Sequence, residues 1–379
     1  MMDIIRSGMN ETDQLSNYSM GDEEAYEVPS CVPFLFALRG VVSCIFCIVG
    51  IAGNALSLAV LKHIGRSSIT FFLLKMVAVV DTIYLSCYFL STVVPAILRF
   101  ADVEGDRYIY VVWYILPLAS MALTCTIWIT TLVTYHRYKA ISGALRSNPY
   151  TTIRWVQVQV IIIVVLAIII DIPRYVETKL HVEKYNNVTY ISMMFTKLWS
   201  DQIYQILYKN ITMVVLRKLL PLIFTALFTY KLVNALYERN KIRAKLFHRR
   251  ENEAGGKQLG PNHGESVTTV LIAIAVTFIV CQAPMAIYPI FRLTLQAETA
   301  LCDFFTYFSI IADALAILNS AVNFFIYYPS IPVFRKTMSD LVTRRIKQSN
   351  YRPPDTIVSR SPSPKRETVL TGMSKPTAV

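Results

Sequence analysis

Residues 125–141 read CTIWITTLVTYHRYKAI. The stretch opens as apolar helix and closes on a basic, aromatic cluster, His136-Arg137-Tyr138-Lys139. A long apolar helix that ends on arginine is expected to have that end at the cytoplasmic face of a membrane, where positive charge collects. Every other segment can then be placed by asking which side it shares with Arg137.

Outward from that stretch, apolar runs cover residues 32–61, 69–98, 108–135, 155–172, 211–237, 266–291 and 302–328. Each fits the ~20 residues that cross ~30 Å of hydrocarbon. Composition agrees: 54% of the 379 residues are hydrophobic and 16% are charged, too few charges to cover a soluble protein of this size. The net charge of +12 raises nucleic-acid binding as a reading. The base sits mostly in loops between apolar runs, such as Lys62, His63 and Arg66, or Arg239 through Arg250, so a positive-inside membrane protein is expected and no nucleic acid. The expected fold class is an all-α membrane protein, a seven-transmembrane helix bundle. A short amphipathic C-terminal helix follows, with Val333, Phe334, Met338, Leu341 and Val342 at helical spacing, resting on membrane lipid.

The expected organisation has three parts. Residues 1–31 form an acidic extracellular tail without an apolar signal-peptide core, with sequons at Asn10 and Asn17. Residues 32–346 form the bundle and its surface helix. Residues 347–379 form a disordered cytoplasmic tail rich in Ser, Thr, Pro and base. The expected location is the plasma membrane, multi-pass. Residues 176–209 read as a long polar, aromatic outer loop with a third sequon at Asn187. Within the runs, Arg39 and Lys75 are expected to snorkel to headgroups, Pro95 to kink its helix, and Asp81 to face inward with a partner. Cys31 and Cys302 are the cysteines expected near the outer face, where they form a bridge or stay as two free thiols.

Several marks fall in order on successive helices: Gly53-Asn54, Asp81, Arg137-Tyr138, Pro221, Phe278-x-x-Cys281-x-x-Pro284, and Asn319-Ser320-x-x-Asn323-x-x-x-Tyr327. Together they resemble a rhodopsin-like (class A) G protein-coupled receptor. The stretch from Pro117-Leu118 through Thr124-Cys125-Thr126-Ile127-Trp128 leading to Arg137-Tyr138, Ile172 through Tyr175 with Glu177, and LNSAVNFFIYY are similar to invertebrate FMRFamide-type neuropeptide receptors.

The resemblance implies a set of roles. Arg137, with His136 and Tyr138 beside it and Glu265 as a lock partner, would meet a heterotrimeric G protein, and Tyr327 would swing toward Arg137 on activation. Pro221, Ile127 and Phe278, with Gln282 and Pro284 on the sixth helix, match a packing switch whose bland reading is plain core. Asp81, Thr126, Asn319 and Asn323 resemble a sodium site; a hydrogen-bonded cluster without an ion is the alternative. A carboxylate among neutral oxygens suits a hard cation. No enzyme is expected, because no nucleophile–base or metal set occurs.

The pocket reading rests more on spacing. Asp313 lies ten residues outward of Asn323, near a common helical face, and is expected to meet a cationic group of an extracellular peptide ligand or else to pair with Arg39 or Lys75. Gln282, Met285, Tyr288 and Tyr307 are expected around the same cavity, although interface-belt aromatics look the same in sequence. Ser359, Ser361, Ser363 and Thr368 offer phosphorylation sites for arrestin, and the ending at Val379 fits a PDZ protein.

The departures from the resemblance are specific. His136 stands where an acidic residue is usual, Gln282 replaces a tryptophan, and Phe324 follows Asn323 in place of proline. Val112 stands at the usual cysteine of the third helix and residues 176–209 lack cysteine, so the outer end of that helix is expected to be untethered. Ile317 and Ala119 set aside a retinal lysine and an amine-binding aspartate. Another small ligand is the first alternative. A transporter is the rival class; it predicts internal repeats and broken helices at the midplane, and the sequence shows neither.

Overall fold

Runs of Ile and Val on both faces of a helix suit hydrocarbon on one side and packed protein on the other. Between Ile153 and Glu177, Val156, Val160 and Ala167 are buried, while Ile161, Val165 and Ile169 lie about half exposed, in a row one turn apart. That row would be costly in water and is at home in lipid. The computed structural model describes residues 32–64, 68–101, 108–142, 152–185, 188–251, 263–294 and 304–349. Seven helices among them are long and apolar enough to cross a membrane: α1 Pro33–His63, α2 Ile69–Phe100, α3 Tyr108–Ile141, α4 Ile153–Glu177, α5 Gln202–Ile242, α6 Val270–Arg292 and α7 Phe304–Pro329. An eighth helix, α8, spans Pro332–Ser349. The bundle lies in a compact unit running to Met338, and Ser339–Val379 form a second unit.

The expected outer loop at 176–209 is largely ordered structure. α4 runs on to Glu177, and α5 already begins at Gln202. Between them β1 (Thr178–Tyr185) and β2 (Val188–Phe195) pair antiparallel from Thr178 opposite Phe195 to Tyr185 opposite Val188. Alternating polar and apolar residues such as Lys179, Leu180, His181 and Val182 have the period of a strand. The hairpin marks one end of the bundle; Arg137 marks the other.

α3 is the hub, packing against α2, α4, α5 and α6. Its Leu123 and Ile127 join Tyr84 and Leu85 of α2, Phe278 of α6 and Ile317 of α7 in one buried cluster. At the junction of α1, α2 and α7 the backbones approach closely. A Cβ on Gly50 would stand 2.6 Å from Leu85 Cδ1 and 2.9 Å from the Ala321 Cα, so no larger residue fits.

Three stretches widen into turns of i→i+5 pitch: Phe36–Val42, Phe89–Val93 and Gln205–Leu219. All lie toward the hairpin end. The second precedes Pro95, whose missing N–H and bulky ring disturb the turn before it. α7 is interrupted at Val322, between Phe304–Ala321 and Asn323–Ser330, although Phe324 has replaced the usual proline. Asn54 of α1 donates to the Ser320 carbonyl beside the interruption, 3.1 Å away. Phe324 stacks on Tyr328 and meets Phe334 edge-on, so side-chain packing and a cross-helix bond hold the break.

Candidate functional site

Polar groups inside an apolar bundle mark the places where chemistry can happen, because each must find a partner there. They fall into three groups along the bundle.

The hairpin-end group is built by α3, α4 and α5. Asp171 of α4, fully buried, accepts from Ser120 Oγ at 2.5 Å and from Thr124 Oγ1 at 2.7 Å, both on α3. Arg217 of α5 lies 3.3 Å from the same carboxylate and donates to the Ser120 carbonyl at 3.0 Å. Arg174 donates to Ser120 Oγ at 2.6 Å and stands 3.9 Å from Asp171. One turn beyond, buried Glu177 pairs with Lys209 at 2.8 Å and accepts from Tyr204 at 2.6 Å. Lys209 also covers the Trp199 ring at 3.7 Å. Lys218 donates across to the Met285 carbonyl of α6 at 3.2 Å. A buried pair is costly to break from one side, by ~3–5 kcal/mol, because the survivor stays charged.

This group corrects two expectations. Arg39 does not snorkel: it is 8% exposed and pairs with Asp313 at 3.9 Å, because a widened turn carries it into the bundle. Nor is the end of α3 untethered. Trp113 Nε1 donates to the Thr178 carbonyl at 3.2 Å, Tyr175 donates to the Tyr114 carbonyl at 3.1 Å, and these three rings pack on one another. Hydrogen bonds and aromatic packing thus fasten α3 to α4 and the hairpin without a disulfide. Sequence reasoning missed Ser120, Thr124, Asp171, Arg217 and Lys218. Ionisable residues within apolar runs were the available signal, in DIPRY and LRKLLP.

The middle group centres on Asp81, also fully buried. Thr126 donates to it at 3.0 Å and Asn323 at 2.7 Å, and the Ser320 side chain faces it. Asn319 is buried nearby with no hydrogen bond to Asp81 among the described residues. Asn54 Oδ1 and Ser57 Oγ are buried oxygens without a partner among the described residues. Next to this group on α3, one residue past Thr126, is Ile127, which shares a buried cluster with Phe278; the two are 2% and 0% exposed. Pro221 joins through Thr131, one turn past Ile127, which shares a hydrogen bond with Thr225 at 2.9 Å and reaches the Pro221 carbonyl at 3.4 Å.

At the third group Arg137 has neither hydrogen bond nor ion pair among the described residues. His136 turns to α4, its Nε2 2.8 Å from Gln159 Oε1. Tyr138 stacks on Phe228 of α5. Tyr327 is fully buried against Phe334, its hydroxyl without a partner among the described residues. On α5, Thr229 is buried and bonded to the Thr225 carbonyl, while Tyr230 is two-thirds exposed on the lipid side. The side chain of Glu265 lies outside the described residues.

A bundle of seven spans, with a buried aspartate on α2 held by α3 and α7, is the arrangement of a known family. A family model described as 7 transmembrane receptor (rhodopsin family) matches residues 53–327. The chain belongs to the rhodopsin family of seven-transmembrane receptors. It is also 23% identical over 299 residues to the FMRFamide receptor of Drosophila melanogaster, covering 77% of this chain and 51% of that protein. The chain thus spans about half the length of the curated relative it matches.

In this receptor the expected pocket residues divide. Asp313 is 24% exposed beside Arg39. Gln282 is 5% exposed with its amide nitrogen unpartnered among the described residues, and Met285 packs on the core cluster. Tyr288 stacks on Phe308, and Tyr307 meets Phe34 edge-on. Pro284 is half-buried on α6. Asn10, Asn17, Cys31, Asn187, Cys302, the phosphorylation sites and Val379 lie outside the described residues.

Proposed function

We propose that the receptor binds an extracellular peptide, of the amidated FMRFamide-like class, and activates a heterotrimeric G protein. The hairpin end faces outside, and the Arg137 end faces the cytoplasm, where basic loops collect. The observation that carries the reading is the contrast in pairing. Asp313, part-exposed, holds Arg39 only at 3.9 Å, while Arg137 at the far end waits without a partner among the described residues. A ligand guanidinium, such as the arginine of an Arg-Phe-amide, can displace Arg39 from Asp313 with two shorter bonds. The name of the Drosophila relative supports the same ligand class.

The mechanism is a shift between packings, not a reaction. Asp313 sits on α7, as does Asn323, which bonds Asp81. Drawing Asp313 toward a ligand loads α7 at its interruption, where Phe324 and the Asn54 bond hold the break. Ile127 and Phe278 then repack, and α6 moves away from α3 at the Arg137 end. That opens Arg137 and Tyr138 to the G protein and gives the idle Tyr327 hydroxyl a partner. Asp81, Thr126 and Ser320 would offer oxygens to a sodium ion, and the ion would compensate the charge of the buried carboxylate. Arrestin at a phosphorylated tail and a PDZ protein at Val379 complete the proposed partners.

The test is a panel of amidated neuropeptides on cells expressing the full chain, reading calcium and cAMP together. The expected result is dose-dependent signalling by arginine-containing peptides, with potency falling at least about tenfold in Asp313→Asn. Substrate uptake without G protein activation sinks the reading.

A further inference from the structure

Each carboxylate of the hairpin-end network has a cation: Asp171 has Arg217 and Arg174, Glu177 has Lys209, and Asp313 has Arg39. Lys218, also on α5, has no carboxylate among the described residues. Its ammonium donates to a backbone carbonyl, that of Met285, at 3.2 Å. Arg217, Arg174 and Asp313 all lie within electrostatic range of it, so cations outnumber anions around it. A lysine within a membrane span is expensive to leave with a dipole in place of a counter-ion.

The carbonyl it uses is not an ordinary one. Met285 stands four residues before Pro289, inside α6. Proline has no N–H, so the carbonyl one turn earlier loses its helical donor. Lys218 supplies the missing donor from α5 and in doing so joins α5 to α6.

We propose that Lys218 is the docking point for an anionic group of the ligand, a carboxylate, and that binding draws it off the carbonyl freed by Pro289. The proposal rests on the peptide-receptor reading and narrows the ligand: besides a cationic group for Asp313, it carries an acidic one. Lys218 is parked on Met285 in the ligand-free state, holding α5 and α6 together. A ligand carboxylate offers a full negative charge in place of a dipole, so the exchange is downhill. The orphaned carbonyl is then left one turn before Pro289 in α6, the helix that must move.

The test uses two peptides that differ by one group, Asp-Phe-Met-Arg-Phe-amide and Asn-Phe-Met-Arg-Phe-amide, on cells expressing the full chain. The acidic peptide is expected to be about tenfold more potent on the unaltered receptor. The preference should fall within about twofold in Lys218→Gln and survive in Lys218→Arg, which keeps the charge. Equal potencies on the unaltered receptor, or the same preference in Lys218→Gln, overturn the proposal. Silence toward both peptides instead overturns the peptide reading beneath it. A second arm needs no ligand: Lys218→Gln is expected to raise basal signalling about threefold, but not in a Pro289→Ala background, where the substitution returns the missing N–H. An equal rise in both backgrounds shows that Lys218 does not serve that carbonyl, and removes the parking step.

Discussion

The two ends of the bundle treat charge in opposite ways. At the hairpin end every buried carboxylate among the described residues is paired, and Ser120 alone bonds Asp171, Arg174 and, through its carbonyl, Arg217. At the other end Arg137 has no ion pair among the described residues, and the Tyr327 hydroxyl is buried without a partner. Paired charges resist rearrangement, since any shift strands one of them, although Arg174 Nε, Arg217 Nε and Glu177 Oε2 make no hydrogen bond among the described residues. An unpaired charge gains by finding a partner. The difference assigns anchoring to the α3–α4–α5 face at the hairpin end and movement to the Arg137 end, with Ile127 and Phe278 packed between them.

That contrast can be broken most sharply at Arg137. Arg137→Ala is expected to abolish agonist-driven G protein activation while surface labelling stays normal; preserved signalling would erase the distinction between the ends. Next in size is Asp171→Ala, which strands Arg217 and Arg174. A stability loss of ~3–5 kcal/mol is expected, read as thermal inactivation of the solubilised receptor and as reduced surface expression. Removing Arg217 as well, by Arg217→Met in the Asp171→Ala background, should recover part of the loss, and failure to do so would show that the pair is not the cause. Trp113→Phe deletes the bond to Thr178 and is expected to cost ~1 kcal/mol, seen as earlier thermal inactivation with unchanged signalling efficacy. The smallest effect is expected from His136→Asp. An aspartate beside Arg137 gives it a charge-assisted partner, and basal inositol phosphate production should fall about threefold. Unchanged basal output would mean that Arg137 is already restrained.

Much of this was legible in the sequence. Run lengths and the distribution of base gave seven spans, because hydrocarbon thickness leaves little freedom in helix length. That Asp81 faces inward with a partner was expected, since a lone mid-span carboxylate has to find donors; of the three partners the resemblance named, Thr126 and Asn323 bond it and Asn319 does not among the described residues. Arg39 and the residues of DIPRY and LRKLLP were harder. A charge near the end of an apolar run reads equally as snorkelling or as paired, and spacing along one helix says nothing about the facing helix. Arg39 went inward because a widened turn redirected it, and such turns have no period of their own in sequence. The tether of α3 was hidden for a similar reason: a missing cysteine is visible, but the Trp113 and Tyr175 bonds that replace it join residues 65 and 61 positions from their acceptors.

The amino-acid order by itself determined that this chain crosses a membrane seven times and that polar residues lie along its interior, because burial of apolar length is a local property of each run. Which polar residues meet, and so which end of the bundle is fastened and which is left wanting a partner, was decided only when the helices packed. Partnership depends on distances of about 3 Å between atoms far apart in the chain, and no one-dimensional pattern encodes them.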